Sequence, residues 1–189
     1  MKILVACEES QTVAKAFRSQ GVEAYSCDVL PCSGGHPEWH IQDDVVKLLA
    51  FSWDMIIAFP PCTYLSRAGS HRLYPGGQLN QERYEKGLEA RAFFMEFYNA
   101  DCPRIAIENP VSNLVYQMPK HSQLIQPYMF GHAYTKATRL WLKGLPILMA
   151  TDLVVPERSF THQKKGGKAR SKTFPGVAAA MASQWGSLG

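Results

Sequence analysis

The sequence predicts an α/β fold built on a doubly wound, mostly parallel sheet. Short apolar runs at residues 2–6, 55–58 and 104–107 are typical of parallel strands that are buried on both faces. A helical pattern separates the first run from a second strand, so the first 28 residues form a β-α-β unit. At 189 residues, the chain is predicted to be a single domain, residues 1–189, with a substantial core.

The composition predicts a globular protein of a reducing compartment. No apolar run approaches the roughly 20 residues that a membrane span needs, so no membrane partner is expected. The five cysteines are an odd number without a CxxC pair, which favours a cytoplasmic chain over a disulfide framework or a zinc site. The net charge of +4 is mild and permits a polyanionic partner without demanding one.

The first turn is predicted to join the strand at residues 2–6 to a helix at residues 11–19. Ser10 can cap that helix with its hydroxyl, and Gly21 can end it. The segment CEES at residues 7–10 forms the turn itself. The apolar face of the helix consists of Val13, Ala14, Ala16 and Phe17.

A second strand at residues 22–26 is followed by Asp28. In nucleotide-binding folds, an acid at the tip of this strand hydrogen-bonds the ribose hydroxyls of an adenosine cofactor, and a solvated loop aspartate is the alternative. Residues 31–42 are rich in proline and glycine and are predicted to be loop. Asp43 and Asp44 then open a helix that reaches residue 50, with a contact to adenine as a second role.

The segment at residues 54–66, DMIIAFPPCTYLS, is the strongest candidate for a functional site in the sequence. Its apolar strand stops at Pro60 and Pro61, each of which fixes φ near −65° and has no N–H to donate. Cys62 follows at once, at the edge of the sheet where open α/β folds bind ligands. Cys62 is therefore either a nucleophile or a small residue at a strand end.

Residues 63–79 are predicted to form a glycine-rich basic loop that carries Arg67 and Arg72 and no acid. Such a loop could close over a phosphate-bearing substrate, and a floppy surface loop is an equal alternative. Residues 80–100 give the clearest helical pattern of the chain.

The strand at residues 104–107 ends in Glu108, Asn109 and Pro110. Because the carboxyl ends of adjacent parallel strands converge on one crevice, Cys62 and Glu108 are expected to lie close together. A thiolate can add to C6 of a pyrimidine ring and make C5 carbanion-like. A carboxyl group of raised pKa near N3 would polarise the ring for that addition.

The C-terminal third adds a strand, a basic segment and a helix. Residues 138–142 alternate in polarity and are predicted to be a late strand, and residues 177–185 a final helix. The basic segment at residues 162–172 carries no acid, and we interpret it as a phosphate-contacting arm, with a solvated segment as the alternative. Its cations are Lys164, Lys165, Lys168, Arg170 and Lys172.

Two motifs resemble those of the cytosine-C5 methyltransferases, and more closely a compact phage-type group of that family. Residues 59–66 resemble the Pro-Cys motif, and residues 108–110 resemble the Glu-Asn-Val motif. The resemblance implies a Rossmann-like fold of the S-adenosylmethionine-dependent methyltransferase type, with Cys62 as nucleophile and Glu108 as the ring-polarising acid. Residues 138–142 are similar to the strand whose arginine contacts the target ring, which implies that role for Arg139.

The resemblance also implies S-adenosylmethionine as cofactor. Residues 171–184 resemble the last motif of the family, whose helix returns beside the first strand near that cofactor. One departure is the first turn, because the glycines that let the backbone approach the cofactor are replaced by residues 7–10. The residues expected around the cofactor are Cys7, Glu8, Ser10, Asp28, Asp44 and Pro60.

A second departure concerns the substrate. Only residues 143–172 stand where the family carries a large target-recognition domain, so little chain is left for reading a long DNA sequence. The expected substrate is DNA of short context, a single strand, RNA or a free cytosine nucleotide, unless a partner protein supplies specificity. An amino-group methyltransferase and an inactive nucleic-acid- or protein-binding module are the alternatives. The expected location is the cytoplasm, or the host cytoplasm if the chain is phage-encoded.

Overall fold

The computed structural model describes residues 1–160 and 172–188, which contain nine strands. Seven of them form one sheet, in the order β3-β2-β1-β4-β5-β8-β6, and β7 and β9 pair separately. The strands are β1 Lys2–Ala6, β2 Glu23–Asp28, β3 His40–Gln42, β4 Met55–Ala58, β5 Ile105–Pro110, β6 Gln123–Ile125, β7 Tyr134–Thr135, β8 Thr138–Lys143 and β9 Arg158–Ser159.

The order of the strands confirms the predicted α/β, doubly wound and mostly parallel fold. The chain starts at β1 in the centre, runs outward through β2 and β3, and returns to β4 on the other side of β1. The pairs from β3 to β5 are parallel, whereas β8 is antiparallel to both β5 and β6. The direction of winding therefore reverses between β1 and β4, and a ligand cleft is expected at the carboxyl ends of these two strands.

Helices cover both faces of the sheet. Helices α1, Thr12–Arg18, and α4, Pro175–Trp185, pack together on one face, and α3, Gln81–Tyr98, covers the other. The side chains of β1 alternate between the two cores, because successive residues of a strand point to opposite faces. Across residues 1–160 and 172–188, no helix has the length and apolarity needed to cross a membrane.

The edge of the sheet beyond β2 differs from the prediction. The segment predicted as loop contains a 3-10 turn, Pro37–Trp39, and the edge strand β3. The predicted helix after it is a 3-10 helix, Val45–Ala50, whose first turn is capped by the Asp44 carboxylate at the Val46 N–H. A strand of three residues is too short to leave a periodic pattern, so tertiary pairing with β2 decides its conformation.

The segment predicted as a basic loop is a packed part of the fold. It contains a 3-10 turn, Arg67–Gly69, and the short helix α2, Ser70–Leu73. Leu65 and Leu73 are buried in a small core together with Tyr116. These contacts hold the segment beside α3. The glycine-rich sequence had instead indicated a loop.

Gly87 gives a test of this small core. In a helix interior, Gly→Ala ordinarily stabilises a protein by about 0.5–1 kcal/mol. A Cβ at Gly87 would overlap the ring of Tyr116, so we expect Gly87→Ala instead to lower the free energy of unfolding in urea by about 1–3 kcal/mol. In a Tyr116→Ala background the same substitution should stabilise, and equal destabilisation in both backgrounds would contradict the packing.

Candidate active site

Cys62 lies in a turn that begins directly after β4. Its carbonyl oxygen accepts hydrogen bonds from the N–H groups of Leu65, at 3.1 Å, and Ser66, at 2.9 Å. From α3, Arg83 donates to the carbonyl oxygen of Thr63 at 2.8 Å. The turn that carries the thiol is thus held by hydrogen bonds within itself and by one from α3.

A side-chain hydrogen bond joins the ends of β4 and β5. The parallel pairing of these strands runs as far as Ala58 and Ile107. Beyond that point the Asn109 amide Nδ2 donates to the carbonyl oxygen of Pro60 at 2.9 Å, and Asn109 is 1% exposed. This bond brings the turn of Cys62 beside the end of β5, which carries Glu108.

The charge of Glu108 acts on Cys62, and the charge of Lys136 acts on both groups. Burial raises the pKa of the Cys62 thiol, the Glu108 charge raises it further, and the Lys136 charge lowers it. Burial also raises the pKa of Glu108, while the Lys136 charge and a hydrogen bond with the Thr138 side chain partly offset that effect. Cys62, Glu108 and Lys136 thus form one electrostatic cluster, in which the charges of Glu108 and Lys136 act on the thiol in opposite directions.

The sequence did not single out Lys136. It lies between β7 and β8, just before Thr138, which pairs with Pro110 at the end of β5. An antiparallel strand that begins beside the end of β5 brings the residues before it to the same edge of the sheet. Lys136 could therefore have been found only once this pairing was known.

Glu108 lines a narrow apolar cleft between the ends of the strands and the start of α4. The Lys136 ammonium lies 6.0 Å from the centre of the Phe174 ring, within range of a cation–π contact. Low polarity around the carboxyl group explains why burial dominates its pKa. The neighbours that shape the cleft are Phe59, Lys136, Thr138, Thr173, Phe174 and Val177.

Arg139 lies on the other face of the sheet. In β8, Leu140 belongs to the core under α4, and Trp141 to the core under α3. The alternation of a strand puts Arg139 on the α3 face with Trp141, directly opposite Asn109 of β5. Its charge acts on His121, whose pKa is lowered first by burial and then by Arg139. The cation whose charge acts on Cys62 and Glu108 is therefore Lys136, and the contact of Arg139 with a target ring stays a prediction.

The residues predicted to hold a cofactor gather at the ends of β1, β2 and β3. Burial raises the pKa of the Cys7 thiol, and the charges of Asp28 and Asp44 raise it further, so these three side chains are near neighbours. Asp28 accepts a hydrogen bond from the N–H of Leu30 through one carboxylate oxygen, at 2.9 Å. Pro60 lies beyond β4, the strand next to β1. The cluster thus flanks the point where the winding of the sheet reverses.

The turn after β1 reaches an unusual backbone shape without glycine. Cys7 and Gln11 have φ values of 59° and 56°, in the left-handed region that glycine favours. Such residues cost about 1–3 kcal/mol each and persist where surrounding contacts determine them. Gln11 is fully buried, and its side chain bonds to Ser26 and to both backbone groups of His36. The missing glycines are thus replaced by long-range contacts.

The cap of α1 differs from the prediction. The Ser10 hydroxyl bonds to that of Thr12 at 3.1 Å, and it is the Glu8 carboxylate that accepts from the N–H groups of Val13, at 2.7 Å, and Ala14, at 3.2 Å. Glu8 is 4% exposed, and burial raises its pKa to about 7. Its carboxylate therefore faces the start of the helix and not the cleft, because a buried acid gains most from backbone donors there.

The predicted phosphate contacts are only partly described. Arg67, Arg72 and Lys172 are exposed and available to a polyanion. The other four cations of the basic segment, Lys164, Lys165, Lys168 and Arg170, lie outside the described residues. Among the residues that are described, no group of three or more His, Cys, Asp or Glu side chains is placed to hold a metal ion.

Comparisons with known proteins find similarity only at the level of structure. No protein-family model and no curated protein matches the sequence. A candidate DNA modification methyltransferase of an E. coli prophage matches with a TM-score of 0.49 and 13% sequence identity over 82% of this chain. An rRNA methylase from Escherichia coli matches with a TM-score of 0.41 and 16% identity over 75% of this chain. The Dnmt2 methyltransferase of S. pombe matches with a TM-score of 0.44 and 12% identity over 88% of this chain.

This chain spans 52%, 56% and 56% of the lengths of those three structures. Similarity at this level supports no conclusion about activity, substrate or partner. The fold assignment follows from the strand order of the chain itself.

The charges around Cys62 give a test with opposite signs. Glu108→Gln removes the charge that raises the pKa of Cys62, and Lys136→Met removes the charge that lowers it. We expect alkylation of Cys62 by iodoacetamide at pH 8 to become faster in Glu108→Gln and slower in Lys136→Met, by up to about tenfold for one pKa unit. Mass spectrometry of the Cys62 peptide gives the rates, and exposed Glu96→Gln is the control. Changes of the same sign in both variants would contradict the cluster.

The buried cap of α1 should make stability depend on pH. Because the pKa of Glu8 rises from 4.5 to about 7 on folding, the folded state binds the extra proton, and stability falls as pH rises between these values. We expect a loss of about 3 kcal/mol over that range, at about 1.4 kcal/mol per pKa unit. Urea unfolding of Glu8→Gln should lack this component, whereas exposed Glu96→Gln should keep it. Parallel pH profiles for wild type and Glu8→Gln would refute the assignment.

Proposed function

We propose that this chain transfers a methyl group from S-adenosylmethionine to C5 of a cytosine, in DNA or in a cytosine nucleotide, through a covalent adduct on Cys62. The observation that carries the proposal is the shared environment of Cys62, Glu108 and Lys136 at the ends of two adjacent strands. This combination supplies a nucleophile, a proton donor and a cation at one edge of the sheet, which is what addition to a cytosine ring requires.

The cluster prepares Cys62 and Glu108 for complementary roles. Burial favours the protonated form of Glu108, and protonation removes the charge that disfavours the Cys62 thiolate. The Lys136 ammonium favours the ionised thiol. Burial thus promotes the proton donor that the addition needs, and Lys136 promotes the nucleophile that burial opposes.

In the proposed reaction the Cys62 sulfur forms a bond to C6 of the ring while the Glu108 proton passes to N3. The electron pair of the C5–C6 double bond moves to C5, which becomes the carbon nucleophile. C5 then takes the methyl group, with the thioether S-adenosylhomocysteine as the leaving group, and afterwards loses its proton to a base. The S–C6 bond then breaks, the double bond re-forms, and the thiolate is restored. The N3 proton returns to Glu108, which closes the cycle.

S-adenosylmethionine would supply the methyl group. The residues at the ends of β1 to β3 fit this cofactor, because Asp28 offers a carboxylate oxygen to ribose hydroxyls and Asp44 lies beside it. The positive φ of Cys7 gives the turn a backbone shape that side-chain-bearing residues rarely adopt. Cys7, Asp28 and Asp44 would hold the nucleoside end, and Pro60 borders the reacting end.

The substrate is proposed to be a polyanion of short sequence context. Exposed Arg67 and Arg72 lie on the segment that follows Cys62, where they can contact phosphates by charge. Longer sequence context would come from a partner protein.

A mechanism-based probe tests this proposal. With S-adenosylmethionine present, a substrate containing 5-fluorocytosine should leave a stable adduct on Cys62, because fluorine at C5 cannot depart as the proton does. Cys62→Ala should abolish methyl transfer and adduct, and Glu108→Gln should slow transfer by about 10²-fold or more. The panel of substrates is dCMP, dCTP, single- and double-stranded DNA, and RNA.

Intact protein mass spectrometry and tritium-labelled methyl donor give the readouts, with Cys102→Ala as the matched cysteine control. The proposal fails if Cys62→Ala retains transfer or if the label appears on the exocyclic nitrogen. The second of these outcomes would favour an amino-group methyltransferase.

A further inference from the structure

Two complementary polar atoms are buried where β5 and β8 meet. Asn109 Oδ1 and Arg139 Nε are inaccessible to solvent, and neither has a hydrogen-bond partner within residues 1–160 and 172–188. One is an acceptor and the other a donor. Buried polar groups in native proteins are nearly always paired, so two such atoms in one place indicate a contact that the site can make.

The register of the sheet puts the two residues face to face. Asn109 pairs directly with Arg139 across β5 and β8. Two positions earlier, Ile107 pairs with Trp141, and both of those side chains lie in the core under α3. Because the side-chain period of a strand is two, Asn109 and Arg139 share that face. Side chains directly opposite in an antiparallel pair have Cβ atoms about 4.5–5.5 Å apart, well within the reach of a guanidinium group.

The other end of the Asn109 side chain leads to Cys62. Its Nδ2 donates to the carbonyl oxygen of Pro60 at 2.9 Å. Pro60 and Pro61 have no N–H, so the backbone before Cys62 cannot be fixed by a continued strand ladder. The orientation of one amide group therefore sets the position of this part of the turn.

We propose that Arg139 is a positioning residue: a rotation of its side chain lets Nε donate to Asn109 Oδ1, a bond that this conformation leaves unmade, and the bond holds the amide that fixes the turn of Cys62. Arg139 acts from the α3 face, through Asn109, and does not touch the reacting groups. The charges that act on Cys62 come from Glu108 and Lys136. The value of this arrangement for methyl transfer rests on the proposed function, whereas the contact itself does not.

The test follows the reactivity of Cys62 without any methyl donor. Alkylation by iodoacetamide is measured from pH 6 to pH 10 by mass spectrometry of the Cys62 peptide, in Arg139→Met, Asn109→Leu and the double variant. Loss of either side chain should release the turn, expose the thiol and bring its pKa down towards the ordinary value. We expect about a tenfold faster reaction at pH 8 in each single variant, as one pKa unit of thiolate would give, and no further increase in the double variant.

Two further variants guard against trivial effects. Arg139→Lys keeps a donor of similar reach, so the pH midpoint of Cys62 alkylation should stay at its wild-type value. Thermal unfolding identifies any variant that fails to fold. Ser112 also has a buried hydroxyl without a partner among the described residues, so Ser112→Ala is the matched control and should leave the profile unchanged.

The proposal is overturned if Arg139→Met keeps the wild-type profile, if the effects of Arg139→Met and Asn109→Leu add, or if Ser112→Ala alone reproduces the shift. The effects of Arg139→Met and Asn109→Leu on alkylation of Cys62 could prove non-additive in a protein that shows no methyl transfer. That result would refute the proposed function and support the contact between Arg139 and Asn109.

Discussion

The hydrogen bond from Asn109 to the carbonyl oxygen of Pro60 is the contact on which the site depends. Two consecutive prolines end β4 and deprive the backbone of the donors that would extend its pairing with β5. A side-chain amide takes the place of the next rung, and it does so in a fully buried setting where the bond is worth most. Because of this bond, the thiol and the carboxyl group are fixed relative to each other by the sheet itself.

Burial acts on the Cys62 thiol and the Glu108 carboxyl group in the same direction. It raises the pKa of Cys62 and of Glu108, so each tends to hold its proton. Lys136 alone among the charges named for this cluster favours the ionised forms of both. A substrate that excludes water from the site would strengthen this effect of burial on both groups.

The sequence predicts the fold well because strand ends are marked by abrupt changes of polarity. Cys62 and Glu108 could be identified since each follows a short apolar run, and adjacency of the runs follows from the topology. The face on which Arg139 lies could not be identified, because a shift of register by one residue reverses it. The cap of α1 was assigned to Ser10 and belongs to Glu8 for a similar reason. Both can cap a helix locally, and only burial decides between them.

The turn at Cys7 and Gln11 has a consequence for how such folds are recognised. A fingerprint for this region asks for glycines, because it encodes a backbone requirement as a residue type. Here Cys7 and Gln11 meet the requirement with side chains present, and the side chain of Gln11 is held by hydrogen bonds to the backbone of His36, 25 residues along the chain. The conformation of this turn therefore depends on tertiary contacts and not on the local sequence. Proteins that meet it in this way escape glycine-based patterns altogether, and they are found by backbone geometry instead.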